Sequence, residues 1–166
     1  MTTSQAEPFL ERLEAVRTHL ERLAREPAPE GALTAADEPT GEQWDWGQVW
    51  AHLAEFPGYW MPRLREVFAQ SPANDPLPFG RTKADPDRIA AIERDRHVPT
   101  NELMVRLGAD LDDLRDLLSD MSATDWSRRV RHVSLGEMDM PRVFEEFFVG
   151  HLGAHANQLN GLLAPG

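Results

Sequence analysis

Apolar residues recur every three to four positions in four long stretches of the chain, the spacing that lines one face of an α-helix. The first stretch runs from about Glu7 to Glu26, with Phe9, Leu10, Leu13, Val16, Leu20 and Leu23 on one stripe. Pro27 and Pro29 stop it and open a loop, PAPEGALTAADEPTGEQ. The second begins at Trp46, with Asp45 as its N-cap and Gln48 as the capping-box partner. Val49, Leu53, Phe56, Trp60, Leu64 and Phe68 face inward there, and Pro57 and Pro62 are expected to kink the helix. The stretch SPANDPLPFGRTKADPD reads as an ordered lid or crossover, followed by a short helix around Pro86 to Arg96. Thr100, after Pro99, is placed to cap a third long helix with Leu103, Leu107, Leu111, Leu114, Leu118 and Met121 inward. SATDWSRRVRHVSLGEMD connects through one helical turn and an extended piece. Pro141 fits the first turn of a last helix that runs to about Leu163.

No stretch alternates with period two for long, and there is no internal repeat. Four amphipathic helices with two long connections predict an all-α protein, a four-helix bundle with at least one crossover. The length of 166 residues suits a single domain over 1–166 with a real core. Helix order and handedness are not readable from the pattern.

Composition narrows the function classes. A formal charge of −11 argues against nucleic acid and against anionic membranes, both of which need a basic face. There is no apolar run of about 18 residues to span a membrane. The opening MTTSQAEPFLERLE turns charged at once, unlike a secretory signal, so the expected location is cytoplasmic. Cysteine is absent, which excludes disulfides, zinc–cysteine sites and a protein thiol nucleophile.

Candidate chemistry lies in VGHLGAHANQL. Residues four apart share a helix face, so His151 and His155 project together, on a stripe with Phe144, Phe147, Phe148, Leu159 and Leu162. Burying an imidazole without partners costs about 1–3 kcal/mol, and a divalent metal satisfies two at once. Zinc and nickel suit such a pair. His52 sits on the apolar stripe of the second helix, between Val49 and Phe56, and completes a three-histidine set. Three protein ligands leave a position for water or substrate, as in reactive sites. The alternative is ordinary core histidines, since His-x-x-x-His alone is a weak signal. A zincin would need Glu where Leu152 stands, and the Glu-x-x-His pairs of di-iron bundles are absent. Glu55 reads as a solvated helix carboxylate, or else as a partner behind His52 or a fourth ligand. Gly150 and Gly153 either reflect drift or leave room beside the metal. His19, His97 and His132 lie in polar or loop context and are expected to be solvated; His132 could otherwise serve the mouth of the site. The five tryptophans, Trp44 among them, read as core and loop packing.

Two blocks resemble the DinB/YfiT-like metalloprotein superfamily. WDWGQVWAHLAEF is similar to its Trp-x-x-x-x-x-His-Leu start of the second helix. The stretch from Trp126 on is similar to its C-terminal block: a Trp, then a His-x-x-x-Gly-Glu turn at His132, Gly136 and Glu137, then His151, His155, Gln158 and Leu159. The resemblance implies an up-down-down-up bundle whose metal is held by His52, His151 and His155, and it puts Gln158 at the pocket with Glu55 and Gly150. It also implies a homodimer. Relatives include mycothiol- or glutathione-using maleylpyruvate isomerases and bacillithiol S-transferases. The isomerase branch that uses mycothiol carries Glu in place of one histidine and an extra C-terminal domain. This chain has neither, which argues against that reaction.

The expected activity is therefore metal-dependent transfer of a small-molecule thiol, bacillithiol or mycothiol, to an electrophile in detoxification or stress response. The metal would lower the pKa of thiol or water. The stretch from Ser71 to Asp85, with Arg81 and Lys83, could cover the site and hold a thiol carboxylate. A metal-dependent hydrolase, and a non-catalytic metal-stabilised interaction protein, are the alternatives.

Overall fold

A computed structural model describes residues 4–164; the ends of the expected 1–166 domain, 1–3 and 165–166, lie outside the described residues. Helix α1 (Glu7–Leu23) opens with a proline in its first turn and packs Phe9, Leu13, Val16, Leu20 and Leu23 inward. It ends a few residues before Glu26, where tighter turns, Arg25 N–H to Arg22 and Glu26 N–H to Leu23, lead into Pro27. Helix α2 (Trp46–Ala69) starts with the expected reciprocal cap between Asp45 and Gln48. It runs unbroken through Pro57 and Pro62. Helix α3 (Pro86–Asp95) packs along α2, and α4 (Thr100–Asp120) follows.

Thr100 does not cap α4. The N-cap is Pro99 and Thr100 is already helical. Its hydroxyl instead accepts the Trp46 indole N–H at 3.1 Å, tying the starts of α2 and α4 together. The last helix is also not continuous. Phe148, at φ −134° and ψ −102°, divides it into α6 (Met140–Phe147) and α7 (Val149–Leu163), after the one-turn α5 (Ala123–Trp126). At this joint the backbone is packed so tightly that a Cβ on Gly150 would overlap the Glu145 carbonyl oxygen.

Registered contacts give the helix directions. Trp46 meets Thr100 and Arg65 pairs with Asp113, so α2 and α4 run parallel. Phe9 packs on Phe144 and, further along both helices, Arg12 pairs with Glu145, so α1 and α6 share a direction. Along α2, His52, Phe56 and Trp60 meet His155, His151 and Phe147 in turn, which makes α7 and α6 antiparallel to α2. The order is up-down-down-up. Parallel α2 and α4 require a long crossover, and the 70–99 stretch with α3 is that crossover.

A small sheet adds to the helices where only an extended piece was expected. Strands β1 (Leu77–Pro78), β2 (Arg129–His132) and β3 (Gly136–Asp139) pair in that order, β1 parallel and β3 antiparallel to β2. Two to four residues are too few to show a period of two. The sheet is pinned by Arg128, 1% exposed, whose guanidinium holds both Asp75 oxygens at 2.8 and 2.7 Å. Among the described residues, no helix is long and apolar enough to cross a membrane.

Candidate metal centre

His52 comes from the second turn of α2; His151 and His155 come from the first two turns of α7, one turn apart. The antiparallel packing of the two helices brings the three rings face to face, with His52 ring centroids 5.2 Å from His151 and 4.8 Å from His155. One nitrogen of each lies within 4.8 Å of the others. His52 is 2% and His155 9% exposed, while His151 is half-buried and opens the cluster to solvent.

Two of the rings are oriented from behind. His52 Nδ1 lies 2.9 Å from Glu55 Oε1, and His155 Nδ1 lies 2.6 Å from Gln158 Oε1. A carboxylate and an amide oxygen accept, so both Nδ1 atoms carry the proton and both Nε2 atoms keep a lone pair. The Nε2 atoms of His52 and His151 face each other at 3.0 Å. Two tetrahedral zinc–nitrogen bonds of about 2.0–2.1 Å place their nitrogens roughly 3.3 Å apart. The His52–His151 pair therefore fits a divalent ion with a few tenths of an ångström of adjustment, and His155 brings a nitrogen within 4.8 Å of both.

Electrostatics favour neutral ligands. Burial pushes the pKa of His52 and His151 well below the ordinary value, helped by repulsion from His155. Burial also lowers His155 to about 4, against the pull of its bond to Gln158. Imidazole must be neutral to bind metal, and here it is so across the physiological range.

Glu55 is not solvated. Its carboxylate is buried between His52 and the Arg81 guanidinium, and burial raises its pKa against the pull of that arginine. Both oxygens are thus engaged, which makes Glu55 a partner behind His52 and not a fourth ligand. Arg81 reaches it from the crossover, its guanidinium 3.8 Å from the Tyr59 ring centroid. Gly80, at φ +85°, lies so near the Trp60 ring that a Cβ would overlap it, and this closeness lays the crossover on α2.

Three other expectations change. His132 is buried: its Nε2–H donates to the Arg81 carbonyl at 2.8 Å, and its Nδ1 accepts from Ser134 and Leu135 N–H. It fastens the hairpin to the crossover and does not serve the mouth. The closest constraint on Gly150 is Glu145, not a pocket beside the histidines, whereas Gly153 has open space. Lys83 is held by Asp37 at 2.6 Å. His97 is exposed as expected, while His19 is half-buried with its Nε2 unpartnered.

Sequence reasoning missed two neighbours. Trp44, from the loop before α2, packs its ring 5.0 Å from His52 and 6.0 Å from His155. Arg88 of α3 lies over Trp44, with 5.2 Å from guanidinium carbon to ring centroid. Phe56 stacks on His151 at 3.6 Å and closes the other side. Surface cavities of about 190 Å³ between α1 and α4, and about 230 Å³ beside Phe79 and Gly80, do not include the histidines.

This fold has counterparts among solved structures. YfiT from Bacillus subtilis, described as a probable metal-dependent hydrolase with an unusual four-helix bundle topology, superposes with a TM-score of 0.73. The match covers 98% of this chain and 87% of YfiT at 16% identity. The chain has the YfiT fold. A mycothiol-dependent maleylpyruvate isomerase matches over 96% of this chain with a TM-score of 0.65, also at 16% identity. The chain spans 63% of that isomerase's length. No protein-family model and no curated protein matches by sequence. At such identity the YfiT likeness establishes the fold, and the chemistry rests on the histidines themselves.

Proposed function

We propose that this chain is a metal-dependent enzyme in which His52, His151 and His155 hold one divalent ion, zinc or nickel, and that it transfers a small-molecule thiol to an electrophile. The observation that carries the reading is the convergence of three neutral imidazoles from two helices, two of them fixed by acceptors behind the ring. When bound, the ion supplies a Lewis acid that brings the pKa of a thiol or a water toward neutrality. The chain's own residues do the rest. Glu55 and Gln158 hold the two Nδ1 protons and so keep the Nε2 lone pairs available. Trp44 and Phe56 wall the cluster and exclude water from its inner side. With no cysteine in the chain, the thiol must arrive as a cofactor, such as bacillithiol or mycothiol. The mycothiol dependence of the isomerase that shares the fold supports this.

Water in place of the thiol gives the second reading, a hydrolase. It is favoured by YfiT, which matches over more of its own length than the isomerase does. The deciding experiment begins with metal content by mass spectrometry on tag-free protein, beside His151→Ala. About one ion per chain, lost in the variant, is expected. Thiol-dependent consumption of a chromogenic aryl halide then supports transfer, and ester cleavage without thiol supports hydrolysis. Absence of bound metal, with no stabilisation by added zinc or nickel, refutes both and leaves a non-catalytic helical bundle.

A further inference from the structure

Among the described residues, three arginines have buried guanidinium groups, and two of them are neutralised. Arg128 holds Asp75, and Arg81 holds Glu55. Arg88, 6% exposed, has no carboxylate within ion-pair distance among the described residues. Its Nη1 donates to the Lys83 carbonyl at 2.9 Å, and its guanidinium carbon lies over the Trp44 ring at 5.2 Å. The acidic groups whose fields reach it are Glu42, Glu55 and Asp37. Glu42, the strongest of the three, is a solvent-exposed loop carboxylate that forms no ion pair with Arg88, Glu55 is bound to His52 and Arg81, and Asp37 to Lys83 and Thr40. Burying an unpaired charge is costly, several kcal/mol for an ion.

The position of Arg88 says which site that ligand belongs to. Trp44 touches Arg88 on one hand and His52 and His155 on the other. The charge of Arg88 contributes to lowering the pKa of all three histidines. Trp44 also has its indole N–H buried without a partner. Three neutral imidazoles around a divalent ion leave the centre positive, and Arg88 adds to that charge. An anion is what the whole arrangement lacks. A guanidinium presents a planar fork of donors that matches a carboxylate.

We propose that Arg88 is an anion-binding residue of the histidine centre, and that the ligand taken there carries a carboxylate held by Arg88 while its other end reaches the histidines. The proposal rests on the metal reading only for the destination of that other end. Arg81 and Lys83, the cations nominated by sequence, are already paired, and Arg88 takes their place. Either the thiol or its acceptor can bear the carboxylate.

Calorimetric titration of the zinc-loaded full chain tests this with three probes: 3-mercaptopropionate, 2-mercaptoethanol and propionate. The charged thiol should bind at least about tenfold more tightly than the neutral one, as a charge-assisted bidentate pair supplies. Arg88→Met should bring the two within about twofold by weakening only the charged probe, and Arg88→Lys should retain part of the preference. Binding of propionate that depends on Arg88, with no gain for the charged thiol, places the carboxylate on the acceptor. If neither carboxylate shows affinity that depends on Arg88, the proposal is overturned. Should Arg88→Met not fold, the wild-type titrations stand alone, and no preference for the charged thiol together with no binding of propionate overturns it too. Zinc content is read on the same samples. A chain without zinc sinks the metal reading, and the propionate arm on that zinc-free chain still decides the role of Arg88.

Discussion

Glu55→Gln separates the role of Glu55 behind His52 from its role in the fold. The substitution keeps shape and an acceptor for His52 Nδ1–H but removes the charge that Arg81 neutralises. A carboxylate behind a metal-binding histidine raises its basicity, and losing it weakens metal affinity by roughly 10–100-fold, or about 1.4–2.7 kcal/mol. Stability changes separately, because the Arg81 guanidinium is left buried with Asp85 3.8 Å away and the Tyr59 ring beneath it. Breaking a buried pair costs roughly 3–5 kcal/mol, and those remaining partners bring the expectation to about 2–3 kcal/mol. Adding Arg81→Met should recover most of the stability and none of the metal affinity. Zinc competition against a chromophoric chelator reads the first quantity, and urea unfolding of the metal-free chain reads the second. A Glu55→Gln chain that keeps zinc affinity within about twofold of wild type would refute the argument that Glu55 tunes His52.

Further expectations concern pH and packing. In the metal-free chain all three site histidines have lowered folded pKa values, so the unfolded chain takes up protons first and stability falls as pH drops below about 6.5. With His155 at about 4, its share is about 2 kcal/mol by pH 5, complete only below pH 4, and urea unfolding at pH 7.5 and 5 of wild type beside His155→Gln isolates it from the shares of His52 and His151. Zinc at 100 times its dissociation constant should add about 2.7 kcal/mol at neutral pH and progressively less toward pH 5, as protons compete for the same nitrogens. Gly150→Ala drives a Cβ into the Glu145 carbonyl at the α6–α7 joint and should lower stability by about 1–3 kcal/mol in thermal unfolding. Asp75→Asn leaves the Arg128 charge buried without its carboxylate and should cost about 3 kcal/mol, a loss that Asp75→Asn with Arg128→Met reduces.

The amino-acid sequence by itself determined the parts governed by local periodicity. The stripes of α1, α2 and α4, the Asp45–Gln48 cap and the helical pairing of His151 with His155 are set by residues within a few positions of one another. The three histidines were legible because each lies on an apolar stripe, where an imidazole is conspicuous. Tertiary structure decided what depends on distant segments meeting. Glu55 looks like any helix carboxylate until a crossover 26 residues later brings Arg81 onto it. Thr100 looks like a cap until Trp46, 54 residues earlier, claims its hydroxyl. The sheet joins strands of two and four residues from separate connections, too short to carry a period and pinned by Asp75 and Arg128, which meet across 53 positions. Trp44 and Arg88 belong to a loop and a short helix whose patterns announce no site. They acquire their roles only because the crossover lays α3 along α2 and leaves a buried cation next to three neutral imidazoles. Local pattern fixes which face of a helix is buried; which charge lies across from it is settled by packing, where desolvation makes each unpaired group matter.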